Sequence, residues 1–177
     1  MKKILIIAGI FISFLLIYFL HINFFSWYNI AGIQPNLFII LSLFVGLYMG
    51  KIYGLTIGII MGFLLDMFMA SMIGTNTIIL GIAGFLGGIY DKNFSKEKLI
   101  TFMFMVAGTT ILCETIVYIM QILFLKIEIS ILPYIYIILI ETIYNVILTI
   151  ILNPLIQKIG ISTEANFKKE QTFSKYL

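Results

Sequence analysis

Residues 46–66 read GLYMGKIYGLTIGIIMGFLLD, and this stretch decides the fold. Its small residues stand four apart, and the next step of four reaches an acid; the positions are Gly46, Gly50, Gly54, Gly58, Gly62 and Asp66. Each residue advances about 100° round an α-helix, so glycines four apart form a stripe along one face. Helices in lipid approach closely where such small residues meet. The stretch therefore predicts two helices that join near Lys51 and pack tightly, with Asp66 at the edge of the contact.

A later apolar segment supplies matching small residues. They are Gly81, Gly84, Gly87 and Gly88. We expect this segment to pack against the first stripe, so that the second, third and fourth helices form one close-packed unit. The spacing is common in membrane proteins and indicates packing rather than function.

The composition places this chain in a membrane. Hydrophobic residues make up 62% of its 177 residues and charged residues 11%, against about 25% charged in soluble domains. One cysteine and one histidine exclude a disulfide framework or a zinc site built within one chain. We predict an all-α integral membrane protein that needs no metal or other cofactor.

Six apolar segments predict six transmembrane helices. They cover residues 4–20, 36–50, 52–73, 76–90, 99–125 and 134–157. The second and fourth are short for a span of about 20 residues, so four spans with two re-entrant segments is the alternative. Asn153-Pro154 should kink or end the sixth helix. The membrane domain then covers residues 1–158, and residues 159–177 form a polar cytoplasmic tail.

Lysine placement predicts the orientation. If the N-terminus is cytoplasmic, every lysine except Lys126 falls on the cytoplasmic side of the six spans, as the positive-inside rule requires. We therefore expect a multi-pass membrane protein with both termini in the cytoplasm. The basic pI of about 8.9 reports this topology, so no nucleic-acid partner is expected.

Three acids lie within predicted spans: Asp66, Glu114 and Glu141. Ionisable groups at such depth are costly and suggest a functional site. Tyr118 and Asn145 stand one turn from Glu114 and Glu141, and are expected hydrogen-bonding neighbours. We predict a polar cluster that joins helices three, five and six. It is open whether the cluster holds helices together, forms a ligand pocket or partner-responsive switch, or couples to protons.

Several short stretches carry a family resemblance. They are QPNL at 34–37, FVGL at 44–47, GFLLD at 62–66, GTN at 74–76, ETIYN at 141–145 and NPL at 153–155. In this order, together with the glycine series, they resemble the rod shape-determining protein MreD family over about residues 1–158.

The resemblance implies a non-enzymatic scaffold or regulator of the cell-elongation machinery in the bacterial inner membrane. Such proteins work with MreC, their most direct partner, with MreB, and with RodA and its class B penicillin-binding protein. They help to maintain rod shape and lateral peptidoglycan synthesis. No P-loop, HExxH or other catalytic motif stands in the chain, which agrees with a non-enzymatic role.

The same resemblance implies a fold similar to the substrate-binding subunits of energy-coupling-factor transporters. A vitamin-binding subunit of such a transporter is therefore the alternative function. Those subunits dock through an AxxxA motif in their first helix. The corresponding region here offers only Ala8, Gly9 and Ser13, which is a poor match.

Overall fold

The computed structural model describes residues 2–69, 74–93, 98–125 and 131–167. Over these residues the regular elements are helices, apart from an isolated bridge between Ile30 and Ile33, which confirms the predicted all-α class. The helices are α1 (Lys2–Leu20), α2 (Leu37–Met49), α3 (Lys51–Met69), α4 (Thr75–Asn93), α5 (Leu99–Leu125) and α6 (Ile131–Phe167), with a π-helical turn (His21–Phe25) directly after α1.

Four stretches of helix in the described residues are long and apolar enough to cross a membrane. They are Lys3–Phe25, Lys51–Met69, Leu99–Phe124 and Ile131–Phe167. Helix α2 has 13 residues, or about 20 Å at about 1.5 Å per residue, and is shorter than a span. The helices thus fit a membrane protein, while the count of six spans stays a prediction.

Helix α2 forms the centre of the bundle. Every residue in it except Leu41 is buried, and it contacts α1, α3, α4, α5 and α6. The Ser42 hydroxyl donates a 2.6 Å hydrogen bond to the Leu80 carbonyl oxygen in α4. Protein rather than lipid therefore surrounds α2, and this explains how so short a helix is accommodated.

Gly50 alone separates α2 from α3. Its φ is +99°, a conformation open to glycine and costly for residues with a side chain. Its N–H still donates to the Gly46 carbonyl oxygen at 2.9 Å. Gly50, which we predicted as a packing glycine, forms the turn between the two helices.

Helix α6 is longer than predicted. It has 37 residues, passes through Pro154 and continues to Phe167, so residues 159–167 are helical rather than loose; residues 168–177 lie outside the described residues. The cause is packing on this extension. A Cβ at Gly160 would overlap the Tyr48 ring, and the Phe167 ring lies 5.2 Å from that of Tyr53.

Candidate functional site

The glycines of α2 and α3 face the backbone of α4. A Cβ added at Gly46 or Gly54 would collide with the Gly84 carbonyl oxygen, and one at Gly58 with that of Leu80. At Gly62 it would reach the Asn76 carbonyl oxygen. Backbone cannot move aside as a flexible side chain does, so these positions exclude any larger residue.

Glycines of α4 likewise lie against the backbones of α2 and α3. A Cβ at Gly84 would overlap the Gly54 carbonyl oxygen, and one at Gly87 would lie 3.0 Å from the Leu47 nitrogen. At Gly88 it would overlap the Lys51 backbone. Gly81 differs, because the nearest atom there is Ile59 Cγ1 at 3.0 Å, in a side chain that can rotate. Helices α2, α3 and α4 thus touch through their backbones, and we call them the glycine unit.

Asp66 binds the start of α4. Its Oδ1 accepts the backbone and side-chain N–H groups of Asn76, both at 3.0 Å. Its Oδ2 accepts the N–H groups of Gly74 and Thr77 at 3.0 Å and the Thr77 hydroxyl at 2.6 Å. The side chain is 3% exposed.

These bonds make Asp66 a cap for α4 that comes from another helix. The first turn of a helix has N–H groups without intrahelical partners and a partial positive charge, and a carboxylate satisfies both. Within the described residues, the hydrogen bonds of Asp66 go only to Gly74, Asn76 and Thr77. The predicted cluster is therefore divided: Asp66 belongs to the α3–α4 junction, and the other two acids lie between α5 and α6.

The carboxyl groups of Glu114 in α5 and Glu141 in α6 lie close enough to interact with each other. Glu141 is 7% exposed, and its Oε1 is buried without a hydrogen-bond partner among the described residues. A buried oxygen without a partner is costly. The Glu114–Glu141 pair thus retains an unused hydrogen-bond acceptor, whereas both oxygens of Asp66 accept hydrogen bonds.

Asn145 connects three helices through hydrogen bonds near the acid pair. Its Oδ1 accepts the Asn36 N–H at 2.8 Å, at the start of α2, and its Nδ2 donates to the Thr110 hydroxyl of α5 at 3.1 Å. Its side chain also hydrogen bonds to Glu141. The sequence pointed to Asn145 but missed Asn36 and Thr110, since nothing in the spacing links residues so far apart.

Tyrosines continue this line of polar contacts. The Tyr118 ring stacks on that of Tyr134, with centroids 4.3 Å apart. The Tyr134 hydroxyl lies 2.8 Å from the Thr115 hydroxyl. We call the whole line the α5–α6 seam; it comprises Thr110, Glu114, Thr115, Tyr118, Tyr134, Glu141 and Asn145.

The helical fold and its polar groups together indicate a class of protein. Within the described ranges no group of three or more His, Cys, Asp or Glu side chains could hold a metal ion, and the polar side chains discussed above bind mostly to one another. This is an all-helical protein whose long apolar helices fit a membrane.

Comparison with known families identifies the group within that class. Residues 1–159 match the model of the family described as rod shape-determining protein MreD, and the chain belongs to this family. The family acts in rod shape determination with the rest of the MreB–MreC–MreD system and is not known for enzymatic activity. No curated protein and no solved structure matched, so the similarity to transporter subunits stays a prediction.

Proposed function

We propose that this chain is a non-enzymatic scaffold of the cell-elongation machinery, which binds the membrane segment of MreC and so supports lateral peptidoglycan synthesis. The observation that carries the proposal is the family match over residues 1–159. Through MreC, the scaffold acts with MreB, RodA and the class B penicillin-binding protein.

The interior of the bundle supports a scaffold over a transporter subunit. A capture subunit needs a concave site for a small molecule. Here the centre is filled by α2, whose residues Ile39, Leu43, Val45, Leu47 and Met49 are fully buried. A rigid glycine unit of this kind suits a platform on which partner helices pack.

Two exposed apolar surfaces are available to a partner helix. One is the outer side of α1, where Leu5 and Leu16 are 70% and 56% exposed. The other is the loop end of α5 and α6, where Leu123 and Leu132 are 68% and 84% exposed. MreC contributes a membrane helix in our proposal, and we expect it to cover one of these surfaces rather than the glycine unit.

The seam gives the scaffold a way to respond to its partner. Because Glu141 Oε1 is unpaired, a small shift of α6 against α5 would change the hydrogen bonds of the Glu114–Glu141 pair at little cost to the glycine unit. We infer that MreC binding biases this pair. A complex that leaves the surroundings of both acids unchanged would contradict the inference.

Depletion in the cell of origin tests the function. Loss of rod shape, slower lateral peptidoglycan incorporation and recovery of MreC with the tagged protein are the expected results. Normal shape with a defect in vitamin uptake would overturn the proposal in favour of the transporter subunit.

Cysteine crosslinking tests which surface MreC meets. Cys113 is buried, and its replacement by alanine gives a background without thiols. Single cysteines at Leu16 and Leu123 then report the two surfaces, and a cysteine at exposed Ile60 of α3 (58% exposed) is the matched control. Crosslinks to MreC from Ile60 alone would contradict the proposed surfaces.

Accessibility labelling tests the orientation. We propose that both termini are cytoplasmic, on the basis of the lysine distribution. Cysteines placed at each terminus should resist a membrane-impermeant thiol reagent in intact cells and react after lysis. Reaction of either one in intact cells would reject this topology.

A further inference from the structure

The segment that connects α1 to α2 is a short loop without charged residues. It reads SWYNIAGIQPN over residues 26–36, and no Asp, Glu, Lys or Arg stands between Lys3 and Lys51. The two largest side chains that it exposes are aromatic, since Trp27 is 86% exposed and Tyr28 is 62% exposed. Such a surface is unfavourable in water. We call this segment the 26–36 loop.

The backbone of this loop is bonded largely to itself. The N–H groups of Trp27 and Tyr28 both donate to the Phe24 carbonyl oxygen at 3.1 Å. Ile30 and Ile33 exchange two hydrogen bonds, with N–O distances of 3.0 Å and 2.9 Å. A loop whose backbone groups have partners in the protein loses less when it leaves water.

The Asn29 side chain completes this internal bonding. Its Nδ2 donates to the Ser26 carbonyl oxygen at 2.8 Å, and its Oδ1 accepts the Gly32 N–H at 3.0 Å. A neutral amide thus does within the loop what water does for an ordinary surface turn. Irregular backbone is tolerated next to lipid only where its polar groups are satisfied in this way.

Helix α6 holds the loop on its side rather than at its end. The Tyr144 hydroxyl donates a 2.7 Å hydrogen bond to the Tyr28 carbonyl oxygen. Tyr144 lies about 20 Å along the helix from Ile131, where α6 begins. Leu132 and Leu139, between these two positions, are 84% and 56% exposed. Exposed apolar surface therefore continues beyond the loop, and the lipid that covers this surface also reaches the loop.

The length of the first span also places Trp27 at a membrane boundary. The candidate span Lys3–Phe25 has 23 residues, or about 34 Å at about 1.5 Å per residue, which is enough to cross a hydrocarbon core of about 30 Å. Trp27 follows just beyond its end. The indole N–H of Trp27 has no hydrogen-bond partner among the described residues, and it can only donate.

We propose that the 26–36 loop lies in the interfacial layer of the lipid bilayer and that Trp27 binds phospholipid there. The ring packs against the upper part of the acyl chains, and the indole N–H donates to an ester or phosphate oxygen of the lipid, as tryptophan does at membrane interfaces. Lipid is favoured over a soluble partner because the exposed apolar surface runs on without a break from α1, where Phe19 is 64% exposed. The proposal does not depend on MreC binding.

Fluorescence of the full chain in vesicles tests this placement. Trp27 is the single tryptophan of the chain, so its emission reports on the loop alone. In phosphatidylcholine vesicles we expect lipids with brominated acyl chains to remove most of this emission. Iodide on both sides of the membrane should remove much less of it than of the emission of N-acetyltryptophanamide in the same buffer. Strong quenching by iodide without quenching by brominated lipid would overturn the proposal, since the loop would then face water or a soluble partner.

Two asparagine variants test whether the internal bonds keep the loop in lipid. Asn29→Ala frees the Ser26 carbonyl oxygen and the Gly32 N–H, so emission should shift to longer wavelength and iodide quenching should rise. Asn23→Ala is the matched control, because the Asn23 side chain bonds only the Phe19 carbonyl oxygen, at 2.9 Å, and it should behave as the wild type. Circular dichroism checks that both variants keep their helices. Equal iodide quenching of both variants and the wild type would contradict the role of Asn29.

Discussion

The glycine unit and the α5–α6 seam hold helices together in opposite ways. In the glycine unit, backbone meets backbone, and Gly54 and Gly84 each lie where a Cβ of the other would have to be. In the seam, side chains meet side chains, and Glu141 Oε1 has no hydrogen-bond partner in the part of the chain that the structure describes. The first contact has no alternative arrangement, because no group in it can rotate.

This difference separates rigidity from adaptability within one small bundle. Close-packed interiors resist any added volume, whereas a hydrogen-bonded seam with spare acceptors can exchange partners. Asp66 is part of the rigid region, because its hydrogen bonds complete the α3–α4 junction. Its residue type alone would suggest a functional site. The predictions below test this division, from the largest effect to the smallest.

A single methyl group in the glycine unit should have the largest effect. Gly54→Ala places a Cβ against the Gly84 carbonyl oxygen and should destabilise the bundle by more than about 3 kcal/mol, at or beyond the upper end of overpacking costs. Aggregation or loss of the monodisperse peak after heating in detergent would report it. Gly9→Ala is the control, since nothing lies within 4 Å of its Cβ, and a tolerated Gly54→Ala would refute the backbone contact.

Removal of the Asp66 cap should come next. Asp66→Ala leaves several N–H groups unpaired and should cost about 3 kcal/mol or more, whereas Asp66→Asn keeps one carbonyl oxygen and should cost about 1–2 kcal/mol. Complementation of rod shape should fall in the same order, and thermal stability in detergent measures the cost. Wild-type behaviour of both variants would remove Asp66 from the account.

The seam should tolerate change much better. Glu141→Gln and Glu114→Gln should each alter stability by about 1 kcal/mol or less, with a coupling between them of about 0.5–2 kcal/mol in a double-mutant cycle. Thr142→Val is a comparison, because the Thr142 hydroxyl is also buried and unpaired, and its removal should be neutral or stabilising. A loss as large as that of Gly54→Ala would show that the seam is as rigid as the glycine unit.

The smallest effect concerns the extension of α6. The Lys3 ammonium lies 5.6 Å from the Phe167 ring centroid, and Lys3→Gln should cost about 0.5–1 kcal/mol. The matching change at exposed Lys158 should have no effect on the melting temperature in detergent. Equal shifts for both variants would mean that the contact adds no stability.

The glycine spacing predicted most of the fold, because a stripe of missing side chains has one simple use in a helix. It did not predict the role of Asp66, although GTN at 74–76 is a helix start and Asp66 lies in the last turn of the preceding helix, which ends at Met69. A carboxylate that caps a neighbouring helix is visible only when the turn between the two helices is known. From the sequence we therefore assigned the three acids to one cluster, because they lie at similar depths in the membrane. In the structure Asp66 contacts the start of α4, whereas Glu114 and Glu141 lie together between α5 and α6.

The end of α6 was missed for a different reason. We expected Asn153-Pro154 to kink or end the sixth helix, but a helix among apolar neighbours keeps its other backbone bonds and continues through the proline. Gly160, Thr163 and Phe167 are buried and share one face, a spacing that marks a packed helix. The many polar residues of this extension made the pattern hard to recognise in the sequence.

The burial of α2 also has a consequence for the order of assembly. A helix of 13 residues is too short for a separate span, and the N–H group of Asn36, the residue before it, is bound by Asn145 in α6, the described helix furthest along the chain. Its final position is therefore reached only after α6 has been synthesised. Chains truncated before α6 would present this apolar segment to chaperones and membrane proteases, and their rapid degradation would be the cellular sign of a bundle completed from its C-terminus.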